Sequence, residues 1–273
     1  MFETLLELDQ KYLITEMDVN ADFLDAKKFM DMLYDIDKSM NEKIGFLEQM
    51  NLGFRDYIEL WIHEVKIPIS NLILMFHNGE YEKQMVLEQV NRIENLVEQV
   101  LFYARSETLE KDYFIKKTLL QDVVNDVVKK NKDAFILGKI LIDVSEVSGE
   151  VLTDQKWLIF ILNQILSNSI KYRKDDYAQI KMKSIISSHQ VVLKIWDNGI
   201  GIRSSEIERV FDKSFTGSNG RMISASTGMG LFIVKNLIQK LGHQISIESK
   251  EGEYTEVSIT FSSYDFYDVV TKQ

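Results

Sequence analysis

From Met40 onward, apolar residues recur in alternating steps of three and four, which commits this part of the chain to long seamed helices. The first run is Ile44, Leu47, Asn51, Phe54, Ile58, Trp61, Val65, Pro68, Leu72 and Met75; the second is Val86, Val90, Ile93, Val97, Val100 and Ala104. His77-Asn78-Gly79 separates them and is a turn signal, since Asn and Gly tolerate positive φ. Two seamed helices joined by a short turn make an antiparallel hairpin. One hairpin has too narrow a core to stand alone, so two chains are expected to pair into a four-helix bundle. Residues 1–40 also read as helical, through Leu5, Leu6, Tyr12, Leu13, Phe29, Met32 and Leu33, with a break expected near Asp18-Val19-Asn20.

Past the polar stretch Ser106 to Asp112 the texture changes. Leu119 to Lys130 has the period of an amphipathic helix, and Ile140 to Val144 is strand-like by its branched residues. Thr153-Asp154 offers an N-cap for a helix running to about Tyr172. Gln179 to Ile186 and Gln190 to Trp196 read as strands, Gly230 to Lys240 as a helix closed by Gly242, and His243 to Ser249 with Tyr254 to Phe261 as a hairpin. Mixed strands with helices gathered on one face give an α+β class. The organisation expected is an N-terminal helical linker (1–40), a helical hairpin (41–108) and a second domain (109–273).

A formal charge of −10 argues against nucleic acid as a partner, because phosphates reward basic surfaces. Without cysteine there is no disulfide, thiolate metal site or thiol nucleophile, and the four scattered histidines form no ligand pair for zinc. No run of 18 apolar residues occurs and the first ten residues have no cationic start, so the chain as given is expected to be soluble and intracellular.

His63 lies two residues from Trp61 and two from Val65, both on the seam. At about 100° per residue it projects from the opposite face of the helix, where another domain can reach it. Neutral imidazole is a competent nucleophile, and the carboxylate of Glu64 is positioned to hold one ring nitrogen as N–H. Pro68, the single proline, deletes an intrahelical bond and is expected to bend the helix beside His63. Taken alone, His63 reads as a solvated surface histidine, the commoner fate of a lone His.

Asp197 ends an apolar strand and precedes Asn198-Gly199-Ile200-Gly201. A carboxylate there accepts from an exocyclic amine, which suits adenine, and Gly199 and Gly201 allow close approach of backbone to a ring or phosphate. Gly228 and Gly230, with Thr227 just before them, open a helix whose free N–H groups favour phosphate. Neither a P-loop nor a dinucleotide fingerprint occurs. Asn168, Lys171 and Tyr172 share one face near a helix end and supply an amide oxygen suited to Mg²⁺, a cation for phosphates and a flat ring. Between the glycine pairs, Val210 to Arg221 reads as a lid with Lys213 and Arg221 as closing cations. Each motif has an ordinary alternative: an Asp-Asn-Gly turn, a polar helix end, a solvated loop.

In this order the motifs resemble those of bacterial sensor histidine kinases, over about Tyr12 to Phe261. Asn41-Glu42-Lys43-Ile44, Trp61-Ile62-His63-Glu64 and Phe215-Thr216-Gly217-Ser218-Asn219-Gly220-Arg221 are most similar to the intramembrane-sensing group associated with bacitracin-type resistance transporters. The resemblance implies a helical dimerisation stalk joined to an α/β sandwich ATP-binding domain of the GHKL type. It implies His63 as the phosphorylated histidine, Asn168 as the magnesium-holding amide, Asp197 as the adenine-recognising carboxylate and Gly228 and Gly230 as phosphate-side glycines. It further implies ATP and Mg²⁺ as cofactors, a homodimer, a response regulator receiver domain as partner, and an ABC transporter contacted through membrane segments this chain lacks. The chain is then the cytoplasmic portion of a plasma-membrane protein. Three positions depart from the pattern: Ile67 stands where Thr or Asn positions water for dephosphorylation, Gln164 replaces the first amide, and Ser226 replaces a glycine. Two other readings compete, a GHKL-type ATPase clamp without phosphohistidine and a non-catalytic dimeric scaffold.

Overall fold

The structure is a computed structural model and describes residues 24–79, 82–107, 114–218 and 228–262. The expected break at Asp18-Val19-Asn20, most of the linker after Ser106, and Asn219 to Thr227 lie outside the described residues. The chain forms two compact units, Met1–Glu59 and Leu60–Gln273. In the first, the described residues belong to a helix, α1 (Leu24–Asn78), with Met32, Tyr34, Met40, Phe46 and Leu47 exposed. No helix among the described residues is long and apolar enough to cross a membrane.

In the second unit the end of α1 packs against α2 (Lys83–Glu107) as the expected hairpin. Helix α1 stops at Asn78, and Gly79 follows at φ 68°, a conformation cheap only for residues such as glycine. Three cross-links fix the antiparallel register. Trp61 Nε1 donates to the Leu96 carbonyl at 2.7 Å, Arg92 Nη2 donates to Glu64 Oε2 at 3.2 Å, and Asn71 Nδ2 donates to Gln89 Oε1 at 3.2 Å. Pro68 is buried inside α1, which continues through it for ten residues to Asn78.

Within one hairpin the expected seam on α2 is only partly covered. Leu96 and Tyr103 are buried, at 8% and 4% exposure, whereas Val90 and Val97 stay 45% and 40% exposed. Helix α2 carries two adjacent apolar stripes, and sequence spacing alone does not say which of them meets α1.

The remainder is an α/β sandwich. Strand β1 (Lys116–Leu119) pairs antiparallel with β3 (Glu150–Thr153) in a small separate ribbon. Helices α3 (Leu120–Lys130) and α4 (Lys132–Leu137) lead to β2 (Leu141–Glu146), which lies parallel to β4 (Gln179–Ile186) at the edge of a five-stranded sheet. Beyond β4 come β5 (Gln190–Asp197), β7 (Tyr254–Ser262) and β6 (Gln244–Lys250), all antiparallel, in the order β2-β4-β5-β7-β6. Ile180 and Met182 point inward while Lys181 and Lys183 face solvent, so one side of the sheet is covered.

Helices α5 (Gln155–Lys171) and α6 (Gly230–Lys240) cover it. Leu158, Ile161, Leu162 and Ile165 of α5 and Ile233, Val234, Leu237 and Ile238 of α6 are at most 1% exposed, against Leu193, Ile195, Ile259 and Phe261 of the sheet. Asp154 caps α5 as expected, Oδ1 accepting from the backbone N–H of Lys156 at 2.9 Å and of Trp157 at 3.2 Å. Gly242, at φ 70°, closes α6. The fold class is the α+β arrangement of helical hairpin and sandwich domain anticipated from the pattern.

Helix α2 also docks on the sandwich. Phe102 stacks on Phe160 with ring centroids 4.0 Å apart and meets Trp157 edge-on at 5.4 Å. Gln99 Nε2 donates to Gln164 Oε1 at 2.7 Å, and Lys130 Nζ pairs with Glu98 at 2.8 Å.

Candidate functional site

Between α2 and the ends of α5 and α6 lies a cleft of about 1040 Å³. That is the upper end of the range for small-molecule sites and ample for a nucleoside triphosphate. Asn168, Lys171, Tyr172, Asp197, Gly228 and Gly230 all line it. The spacings that place them on strand and helix ends therefore converge, as expected, on one cavity.

Asp197 is the last residue of β5 and only 8% exposed. Ser169 Oγ donates to its Oδ2 at 2.7 Å, and the Gly199 N–H donates to its Oδ1 at 3.0 Å. Burial pushes the carboxyl above its ordinary range, and the bonds from Ser169 and Gly199 oppose that shift without cancelling it. With one donor on each oxygen the group is fixed in orientation, and its remaining lone pairs can accept from an amine in the cleft. Thr255, opposite Asp197 in the β5–β7 register, also lines this end.

The glycines serve the protein's own backbone. A Cβ at Gly199 would come 2.6 Å from the Tyr172 carbonyl oxygen, and one at Gly201 only 2.1 Å from that of Lys250. At Gly228, φ is 64° and a Cβ would strike the Phe215 carbonyl at 2.5 Å. Gly201 and Gly228 let loop pass against loop and also lie in the cleft wall. Gly230 differs: a Cβ there meets only Gln164 Oε1, at 3.2 Å. Met229 provides no side-chain cap, so the first N–H groups of α6 start at the cleft wall without one.

Lys171 lies near the C-terminal end of α5 with its Nζ 5.6 Å from the centre of the Tyr172 ring. Burial lowers its pKa, Glu64 pulls it up and Arg92 pushes it down. Asn168 is half-buried on the same wall. Among the described residues no cluster of three His, Asp or Glu could hold a metal by itself. One amide facing a phosphate-sized space fits Mg²⁺, which keeps several waters and takes further oxygens from phosphates.

His63 is exposed and does not line the cleft, whereas its neighbour Glu64 does. The expected grip of Glu64 on the imidazole is absent: among the described residues Glu64 bonds to Arg92 across the hairpin. Adjacent helical residues point about 100° apart, which separates the two side chains. Lys213 is half-buried and outside the cleft lining; Arg221 and Thr227 lie outside the described residues.

Ser169, Arg92 and Gln99 contribute to the cleft or its walls without having been singled out. Ser169 stood within a motif already noted. Arg92 and Gln99 carry no sequence signal, because they reach the cleft only through the docking of α2.

Residues 153–265 match the family model described as histidine kinase-, DNA gyrase B-, and HSP90-like ATPase. Sensor histidine kinase YxdK of Bacillus subtilis is 33% identical over 208 residues, covering 75% of this chain and 64% of the relative. Sensor protein BceS of the same organism is 34% identical over 209 residues, covering 76% and 62%. Over three quarters of its length the chain is similar to bacterial sensor histidine kinases. It spans a little under two thirds of the length of these relatives.

Solved structures agree on the fold. Acinetobacter baumannii histidine kinase AdeS aligns with a TM-score of 0.57 at 23% identity, covering 74% of this chain and 98% of that one. Histidine kinase ThkA, solved in complex with response regulator protein TrrA, aligns with a TM-score of 0.54 at 17% identity, covering 89% and 68%. In this chain the sandwich domain and the helical hairpin occur together.

Proposed function

We propose that this chain is a protein-histidine kinase that binds ATP in the Asp197 cleft, phosphorylates His63 and passes the phosphoryl group to an aspartate of a response regulator receiver domain. The phosphoacceptor hairpin is assigned to residues 41–108 and the ATP-binding domain to 109–273. The observation that carries this reading is the pairing, in one chain, of an outward-facing imidazole on a stalk with a cleft built around a buried carboxylate.

Asp197 selects the adenine amine; Gly228, Gly230 and the start of α6 take the phosphates, with Lys171 neutralising them. Asn168 holds Mg²⁺, which when bound supplies positive charge to the phosphate oxygens. Phosphoryl transfer has a loose transition state, so positioning and charge neutralisation do most of the catalysis. His63 attacks the γ-phosphorus through a ring nitrogen, the P–O bond to ADP breaks, and phosphohistidine and ADP result. Its separation from the cleft lining requires the sandwich domain to leave its dock on α2, or a partner chain to present the ring.

The acting form is a homodimer. Ile62, Ile69, Ile73, Phe76, Val90 and Val97 are exposed on the hairpin, an apolar surface that a second hairpin covers. The ThkA–TrrA complex supports a receiver domain as phosphoryl acceptor. Likeness to sensor protein BceS, and to sensor protein kinase GraS of Staphylococcus aureus, fits a cell-envelope stress role; action as the cytoplasmic portion of a membrane sensor beside an ABC transporter is part of the same proposal.

Incubation with γ-labelled ATP and Mg²⁺ tests the reading. Acid-labile, base-stable label should appear on the wild-type chain and vanish in His63→Gln. Label retained by His63→Gln would falsify it.

A further inference from the structure

We propose that Arg92 is a phosphate ligand supplied by the stalk to the nucleotide cleft, and that Glu64 is its built-in competitor. This rests on the reading that the cleft takes ATP, and extends it to a residue outside the sandwich domain.

Arg92, Glu64 and Lys171 line one cavity. Arg92 Nη2 lies 3.2 Å from Glu64 Oε2, and the Glu64 side chain is only 12% exposed, so the carboxylate points into the cleft rather than into water. Both groups act electrically on Lys171, which is itself half-withdrawn from solvent: the carboxylate favours its charged form and the guanidinium opposes it. Two cations of one partly dry cleft thus share the Glu64 carboxylate. A terminal phosphate brings more negative charge than one carboxylate and three acceptor oxygens to share between them.

Arg92 suits that task. Its planar fork carries five N–H donors, and among the described residues its hydrogen bond is to Glu64 alone. A γ-phosphate entering beside Lys171 and Asn168 competes with Glu64 for the guanidinium and displaces it. The terminal phosphate should feel this pair most, the β-phosphate less and the α-phosphate hardly at all. Because Arg92 belongs to α2, any shift of the stalk helices changes the grip on ATP.

Calorimetric titration of the full chain with ATP, ADP and AMP in the presence of Mg²⁺ tests this, with every protein carrying His63→Gln so that no transfer occurs. Arg92→Gln should weaken ATP about tenfold, ADP by less than threefold and AMP not at all, with Arg92→Lys intermediate. Glu64→Gln should tighten ATP severalfold and leave AMP unchanged. Equal losses for all three nucleotides, unchanged ATP affinity in Arg92→Gln, or weaker ATP binding in Glu64→Gln would each overturn the proposal. A chain that binds none of the three overturns it together with the ATP reading. The predicted binding pattern without phosphohistidine in the His63 chain upholds it and removes only the kinase assignment.

Discussion

Ser169 and Asp197, 28 positions apart in sequence, are joined by a 2.7 Å bond in which the hydroxyl donates to Oδ2. That bond holds the Asp197 carboxyl down against the burial that raises it. Ser169→Ala should therefore weaken ATP binding about tenfold, the worth of a hydrogen bond to a charged group. It should also move the acid limb of binding to higher pH, because Asp197 must be ionised to accept two donors and an amine. Calorimetry across pH reads both effects; an unshifted acid limb would remove Ser169 from this role.

The same carboxyl sets a conflict between stability and binding. A folded-state pKa above the ordinary 3.8 means that the Asp197 contribution to stability is full below that value. It is lost as pH rises through the folded-state pKa. At neutral pH the ionised group costs folding free energy, so Asp197→Asn should melt higher than wild type and bind ATP at least tenfold more weakly. A lower melting temperature with the fold intact would contradict this.

His243 gives the opposite slope. It is 3% exposed, its Nε2 lies 3.0 Å from Thr153 Oγ1, and burial lowers its pKa from 6.5 to about 4. The folded state holds the ring neutral, so stability is full above pH 6.5 and is lost as pH falls toward 4. The loss is about 3 kcal/mol over that window. Urea unfolding at a series of pH values should show this acid limb, and His243→Gln should flatten it.

Much of the sandwich was legible because its signals are local. The strands Gln179–Ile186 and Gln190–Asp197 alternate or run apolar between turn residues, and Asp154 has the chemistry of a cap. Strands β1 and β3 escaped notice because four residues each are too few to show a period. The cleft residues Asn168, Asp197 and Gly230 were visible as motifs, but their convergence is a property of the sheet. Arg92 and Gln99 could not be read at all: an exposed Arg or Gln on an amphipathic helix looks the same whether or not a domain docks upon it.

The Phe102 dock has a kinetic consequence. Stacked on Phe160 and edge-on to Trp157, it holds the sandwich where its cleft meets Glu64 and not His63. Two aromatic pairs contribute about 0.5–1.5 kcal/mol each beyond their burial. Phe102→Ala should raise the population of undocked domain, and with it the rate of phosphohistidine formation at saturating ATP, by roughly fivefold. Rapid-quench labelling measures the rate, and small-angle scattering should show a larger radius. A slower rate in a folded variant would mean that the dock lies on the route to transfer.

The stripe left exposed on α2 makes the last prediction. Val90 and Val97 lie seven residues apart on one face, at 45% and 40% exposure, beside the buried Leu96. A charge introduced at both positions leaves the Trp61–Leu96 and Glu64–Arg92 links of the single hairpin untouched but must be desolvated wherever a second hairpin covers the stripe. Val90→Glu with Val97→Glu should therefore convert a dimer to a monomer in sedimentation, with ATP affinity within about twofold of wild type because neither residue lines the cleft. If pairing is through this face, phosphohistidine formation in mixed dimers of His63→Gln and Asn168→Asp chains should fall with the dimer. A double variant that still sediments as a dimer would place the contact on the other stripe, around Ile69 and Ile73 of α1.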